Sequence, residues 1–275
     1  MRDFLTQMAD RSADRAAGLR RKESEAALAR RAFASAPPPP LVLSDRCFDV
    51  IAEIKRRSPA DGLLADGLGV GRRAMAYAEG GAVMISVVTE PSAFRGSLSD
   101  LEEAARAVRV PVMRKDFLVD PYQVLQARAV GAGAVLLILR LLDDARLSEM
   151  LDAAGQAGLA VLLEAFDAHD LARAGAVTPV ADKIGIPILV GVNARDLDTL
   201  AVDTARLGAL ADALPPGVPA VAESGIRTAQ DAGQLAECGY RLALVGLALM
   251  RTPNPTGLVQ DLVRAGREGA KELCA

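Results

Sequence analysis

Eight short, β-branched apolar runs alternate with eight amphipathic, Ala/Leu/Arg-rich stretches, and that alternation restricts the fold more than any other feature of the chain. The runs cover residues 50–54, 83–88, 110–113, 134–139, 160–163, 188–192, 220–222 and 242–245. Near-continuous apolar runs suit strands buried on both faces of a parallel sheet, and the stretches between them suit crossover helices. Those helices are expected at residues 70–79, 99–108, 121–130, 143–157, 168–174, 203–213, 228–237 and 256–267, several opening on a capping residue such as Ser99, Asp203 or Thr228. Strict alternation of eight with eight predicts an α/β fold closed into a (βα)8 barrel of TIM type, with an open doubly wound sheet as the alternative. The length of 275 residues fits one such barrel as a single domain. A polar, helix-favouring opening, residues 3 to about 33, is cut off by the run Pro37 to Pro40. The expected division is therefore an N-terminal helical extension with its Pro-rich link at 1–40 and a barrel at 41–275.

Composition removes several function classes. With 51% hydrophobic residues the chain can bury a large core without disulfide or metal support. Net charge is −3 and the basic residues are interleaved with acids, which argues against a nucleic-acid surface. Cys47, Cys238 and Cys274 are odd in number and lack metal-ligand spacing, so neither a disulfide framework nor a zinc site is expected. The charged first thirty residues contain no apolar signal region, and the longest apolar stretch, 130–139, falls short of the roughly 20 residues of a bilayer span. A cytoplasmic protein without membrane segments is expected. The single histidine, His169, falls on the helix after the fifth strand and reads as structural, so acid–base chemistry would rest mostly on carboxylates, lysines or tyrosines.

The C-terminal ends of the strands are where such barrels carry their sites, and here nearly all end in polar groups. In order these are Glu53 with Lys55, Thr89 with Glu90, Arg114 with Lys115 and Asp116, Arg140, Glu164, Asn193 with Arg195, Glu223 with Ser224, and Gly246. Two-residue spacing places Glu53 and Lys55 on one side of the sheet, as a reactive pair or a structural ion pair. Lys115 and Glu164 end alternate strands and can share one layer of the interior. The late segments Glu223-Ser224-Gly225-Ile226 and Val245-Gly246-Leu247-Ala248 read either as a phosphate cradle after strands seven and eight or as two ordinary glycine turns.

Taken in order, several stretches resemble the indole-3-glycerol phosphate synthase family over nearly the whole chain. They are residues 51–59 (IAEIKRRSP), 86–91 (SVVTEP) with Phe94 and 96–98 (GSL), 111–117 (PVMRKDF) with 120–123 (DPYQ), and 193–197 (NARDL). The resemblance implies ring closure of 1-(2-carboxyphenylamino)-1-deoxyribulose 5-phosphate with loss of carbon dioxide and water, without metal or organic cofactor. It makes Lys115 the general acid at the ribulose carbonyl and Lys55 a substrate contact and proton donor to the leaving hydroxyl. Glu164 and Glu53 become proton-handling carboxylates, and Asn193 and Glu223 orient hydroxyls and lysines. Ser58 and Arg195 become substrate contacts, Phe94, Phe117 and Leu197 walls around the anthranilate ring, and Ser224, Gly225, Gly246 and the Leu247 backbone the phosphate cradle. It also implies an extension packed over the barrel mouth with Arg11 or Arg15 near the site, and leaves room for association with other tryptophan-pathway enzymes.

Three stretches depart from the family pattern: Leu247 stands where a small or polar residue usually follows the last glycine, the residues after Glu164 diverge, and residues 176–188 are long and Pro-rich. The rival readings are a phosphoribosyl isomerase, expected to carry a carboxylate or thiol acid–base pair on strands one and five, and a non-catalytic binder of a phosphorylated metabolite. Lys55 beside Glu53 argues against the first, and retention of all six charged or amide groups against the second.

Overall fold

A computed structural model of the chain describes residues 3–45, 48–64, 69–183, 185–197 and 199–270. Eight parallel strands close into a barrel: β1 (Asp49–Ile54), β2 (Met84–Val88), β3 (Val112–Lys115), β4 (Ala134–Ile138), β5 (Ala160–Ala165), β6 (Ile188–Asn193), β7 (Ala220–Glu223) and β8 (Leu242–Val245). Closure follows from β1 pairing in parallel with both β8 and β2, which excludes the open sheet.

Strand periodicity sorts the buried side chains into two cores. Val50, Ala52, Val87, Leu137, Leu163 and Val190 point outward and pack under the helices. Ile51, Met84, Met113, Leu136, Leu162, Leu189, Val221 and Leu242 fill the barrel interior. Because both faces are buried, the strands read as unbroken apolar runs rather than alternating ones.

The outer ring is α3 (Val70–Glu79), α4 (Leu98–Ala107), α5 (Pro121–Ala129), α6 (Asp144–Ala157), α7 (Ala168–Lys183), α8 (Ala205–Ala209), α9 (Ala229–Glu237), a short α10 (Leu247–Arg251) and α11 (Pro255–Gly269). Thr228 caps α9 as expected, with Asp231 completing a capping box. Ser99 does not cap α4; Ser97 does, accepting from Asp100 N, which starts the helix a turn position earlier and lets Leu101 and Ala104 bury on one face. The helix expected to end at residue 174 runs on to Lys183 through Pro179, because Leu171, Ala174 and Ala181 keep one face on the core. The helix expected over 203–213 breaks after Ala209 into a 3-10 turn at Ala211–Ala213, since α8 buries only Leu207. A two-stranded ribbon, Arg57–Ser58 with Gly62–Leu63, follows β1.

The opening segment forms two helices rather than one, α1 (Phe4–Arg20) and α2 (Glu25–Ala34), capped by Asp3 and Ser24. Buried Leu5, Met8, Ser12 and Ala16 trace one face of α1. That face is pinned to the barrel where Gln123 Nε2 donates to Ser12 Oγ at 2.8 Å and Arg20 pairs with Asp120 at 2.7 Å. Cys238 is a free, exposed thiol, and Cys47 and Cys274 lie outside the described residues.

Candidate active site

The parity that places Ile51, Met113, Leu162 and Val221 inside the barrel also aims the residues two positions later inward. Those residues are Glu53, Lys115, Glu164 and Glu223, and all four open into one cavity at the C-terminal mouth of the barrel. Lys115 Nζ stands 3.4 Å from Glu164 Oε2, 3.9 Å from Glu223 Oε2 and 4.0 Å from Glu53 Oε2. Lys55, one step beyond β1 on the same side, places Nζ 2.8 Å from Glu53 Oε1.

This cluster holds two ammonium groups against three carboxyls in a largely water-excluded space. Burial alone would drive Lys115 toward its neutral form, but Glu164, Glu223 and Glu53 outweigh it and hold the ammonium well above the ordinary lysine pKa. Burial works against the Glu53 charge too, yet Lys55, then Lys115 and Arg195, keep it below the usual carboxylate range. For Glu223 burial and the adjacent Glu164 carboxylate act in the same direction, and Lys115 does not offset them, so its pKa is pushed well up. Neither Glu223 carboxyl oxygen has a hydrogen-bond partner among the described residues.

Two glycines make room for these carboxyls. A Cβ on Gly246 would stand 2.3 Å from Glu53 Oε1 and 3.0 Å from Lys55 Nζ, and one on Gly191 would meet Glu223 Oε1. Asn193 ends β6, buried, with Oδ1 accepting from Arg195 N at 2.9 Å; the Arg195 guanidinium donates to Leu200 O at 2.8 Å. Ser58 sits on the ribbon after β1, its hydroxyl donating to Asp61 at 3.0 Å. After β7 the backbone passes through two successive left-handed residues, Ser224 (φ 69°) and Gly225 (φ 84°), and the packing of Thr204 Cγ2 at 2.4 Å from a Cβ on Gly225 requires glycine there. Ser224, Gly225, Gly246 and Leu247 line the cavity on this side.

The loops after β2 and β3 furnish the apolar side. Phe94 and Phe117 lie 6.2 Å apart between ring centroids, Leu197 packs into the same cluster, and Phe4 of α1 meets Phe117 edge-on at 6.0 Å. Glu90 holds the Phe94 loop by accepting from the Ser92, Ala93 and Phe94 backbone N–H groups.

All fifteen residues singled out from the sequence thus line one cavity: Glu53, Lys55, Ser58, Phe94, Lys115, Phe117, Glu164, Asn193, Arg195, Leu197, Glu223, Ser224, Gly225, Gly246 and Leu247. Four other strand-end residues, Thr89, Glu90, Arg114 and Arg140, do not. Arg114 has outward parity and is buried against Gln123 O, Thr89 and Asp116, while Arg140 turns out to Asp167 and Asp170. Of the extension's arginines, Arg15 bridges Glu90 and Asp116 at the cavity edge and Arg11 donates to Ser92. Asp116, noted above only as a strand-end group, also lines the cavity, as do Phe4 and Arg227, which the sequence did not single out. Phe4 reaches it only through the docking of α1, and Arg227 stands four residues past the end of β7. His169 lies outside the cavity, near Asp167 and Asp170, both of which Arg140 already engages.

The model of the indole-3-glycerol phosphate synthase family matches residues 14–262. A relative of that name from Mycobacterium ulcerans is 42% identical over 240 residues, spanning 86% of this chain and 85% of its own. Another, from Beutenbergia cavernae, is 42% identical over 246 residues, spanning 90% and 87%. Among solved structures, 3-hexulose-6-phosphate synthase from Salmonella typhimurium matches at a TM-score of 0.60 and 13% identity, over 80% of this chain and 99% of that one. A phosphoribosylanthranilate isomerase from Thermotoga maritima matches at 0.54 and 14%, over 80% and 99%. At such identities the likeness is one of fold.

Proposed function

The chain belongs to the indole-3-glycerol phosphate synthase family, decarboxylating lyases of tryptophan biosynthesis, and from that premise we propose how its cavity closes the indole ring. The substrate is 1-(2-carboxyphenylamino)-1-deoxyribulose 5-phosphate. Its aryl ring lies among Phe4, Phe94 and Phe117, with Leu197 reaching in from the loop after β6. Its phosphate lies across the mouth at the backbone of Ser224, Gly225, Gly246 and Leu247, where the Lys55 ammonium abuts Gly246. Ser58 and Arg195 contact the chain between.

When the aryl carbon bearing the carboxylate bonds to the ribulose carbonyl carbon, negative charge builds on the carbonyl oxygen. Lys115, kept cationic by its three carboxyl neighbours, donates a proton there. Loss of carbon dioxide then leaves its electron pair in the ring system. Removal of the new hydroxyl as water needs one proton delivered to oxygen and one taken from the adjacent carbon. Lys55 is placed for the first, and Glu164, relayed through Glu53, for the second. Asn193 and Glu223 orient the substrate hydroxyls and the lysines. Helix α1, within the 1–40 segment, covers the aryl end through Phe4. No described helix is long and apolar enough to cross a membrane; a cytoplasmic location beside other tryptophan-pathway enzymes is part of the same proposal.

The observation that carries this assignment of roles is Lys115 Nζ within 3.4–4.0 Å of Glu164, Glu223 and Glu53 in one cavity. Its test is formation of indoleglycerol phosphate by the purified protein without added metal, followed by absorbance or fluorescence, beside Lys115→Ala and Glu164→Gln. Turnover lost in both variants is the expected result. Full turnover by either variant would reject the role given to that residue, and substrate binding without turnover by the unaltered protein would favour a binding protein.

A further inference from the structure

We propose that the Arg227 guanidinium is a phosphate-binding group of this site, supplying from the loop after β7 the side-chain donor that Leu247 cannot. The inference rests on the substrate assignment above and adds a residue to it.

Four cations line the cavity, and three are already matched. Lys115 faces Glu164, Glu223 and Glu53, Lys55 pairs with Glu53 at 2.8 Å, and Arg195 donates to Leu200 O while lowering the Glu53 pKa. Arg227 differs. Its backbone N–H donates to Asp231 Oδ2 at 2.8 Å, fixing the loop at the start of α9, but its side chain has no hydrogen bond or ion pair among the described residues. It is exposed at the rim, two residues after Gly225 and beside buried Ile226.

Its side of the barrel identifies the ligand group. The circular order β1-β8-β7-β6-β5-β4-β3-β2 sets the loop after β7 four strands away from the loop after β3, which carries Phe117. Arg227 therefore lies across the mouth from Phe117, next to the glycine segment of its own loop. A phosphate monoester brings between one and two negative charges there. Lys55 is half-spent on Glu53, and Leu247 presents only hydrocarbon, so backbone N–H groups and one shared ammonium would leave the phosphate short of positive charge. A planar guanidinium offers paired donors that suit phosphate oxygens, and an unpaired one need break no existing bond to do so.

The test compares the unaltered protein with Arg227→Ala, Arg227→Lys and Arg227→Ala combined with Leu247→Ser, by steady-state kinetics and by calorimetric titration with inorganic phosphate. Arg227→Ala is expected to raise KM and the phosphate Kd together by about tenfold, with kcat changed less than about twofold, as for loss of one charge-assisted contact at a solvent-reached position. Arg227→Lys should lose less, and the Leu247→Ser hydroxyl should recover a measurable part of the loss. Unchanged phosphate Kd in Arg227→Ala, a fall in kcat at constant KM, or no recovery with Leu247→Ser would each overturn the proposal. The calorimetric arm separates the two readings. If the unaltered protein does not turn over the carboxyphenylamino substrate, the proposed function fails, whereas the difference in phosphate Kd still decides the role of Arg227.

Discussion

Gly191 leaves open the space that the Glu223 carboxylate fills: a Cβ on Gly191 would stand 2.1 Å from Glu223 Oε1 and 3.1 Å from its carboxyl carbon. The two residues sit on adjacent strands, and Gly191 is also paired in register with Glu164, so its missing side chain is what lets Glu223 turn toward Glu164 and Lys115. Gly191→Ala should keep the barrel, since its φ is not in the left-handed region, but push Glu223 off Lys115. A displacement of about 1 Å in such a cluster costs on the order of 10²-fold in rate. The measurement is kcat/KM with a thermal melt; a folded Ala variant with full activity would show that Glu223 placement is not limiting. In a Glu223→Ala background the same change should cost little more, because the clash is gone.

Glu223 gives a stability prediction with a definite sign. Its folded pKa lies above the unfolded value near 4.5, so the stability it contributes is present below about pH 4.5 and is lost as pH rises toward the folded value. Gln holds the neutral shape at every pH. Glu223→Gln should therefore melt higher than the unaltered protein at pH 8 by roughly 2–4 °C, a gain on the order of 1 kcal/mol, with the difference vanishing near pH 4. Equal melting curves at both pH values would mean Glu223 is ionised at no cost.

Lys115 behaves oppositely. Its pKa is raised in the folded state, so its contribution is complete below the unfolded value near 10.5 and is lost as pH rises through the folded one. Across the neutral range the ammonium is fully charged, and no loss of activity between pH 6 and 9 should trace to its deprotonation. Lys115→Met should lower kcat by roughly 10²–10⁴. It should also destabilise the protein most near neutral pH, because Glu53 and Glu164 then lose a cation, and less under acid, where carboxyls take up protons. Circular-dichroism melts from pH 4 to 8 give the sign; a destabilisation independent of pH would point to packing alone.

Much of this site is legible in the sequence, for a physical reason. A strand buried on both faces must be apolar throughout, so the first inward polar residue marks where it leaves the core, and Glu53, Lys115, Glu164, Asn193 and Glu223 are all such residues. Parity is the part most easily misjudged. Arg114 and Arg140 also end apolar runs, but one faces the helices and the other leaves the barrel in a 3-10 turn. Phe4 and Arg227 are illegible from local pattern, because their place in the cavity depends on where α1 docks and how the loop after β7 turns. The extension of α7 through Pro179 is likewise a packing decision that overrides the local helix penalty of proline.

The contact between α1 and the barrel mouth yields the last prediction. Arg15 Nη2 lies 2.8 Å from Asp116 Oδ1, whose other oxygen accepts from Thr89 Oγ1 at 2.9 Å and Arg114 at 3.1 Å. Asp116 follows Lys115 directly and its Oδ1 also accepts from Phe117 N at 2.9 Å, so Arg15 helps fix the loop that carries both the proposed acid and the aromatic wall. Because Arg15 is about a quarter exposed, solvent screens the pair, and Arg15→Ala should cost only about 1 kcal/mol of stability. Asp116 keeps Arg114 and Thr89, so Lys115 should stay in place and kcat should change little. The aryl end should suffer instead, since Phe4 packs on Phe117 only while α1 is docked. KM should rise several-fold in Arg15→Ala and similarly in Phe4→Ala, and limited proteolysis should cleave within residues 3–20 sooner in the first variant. If kcat fell as far as in Lys115→Met while KM held, Arg15 would act on the proton donor itself rather than through the cover formed by α1.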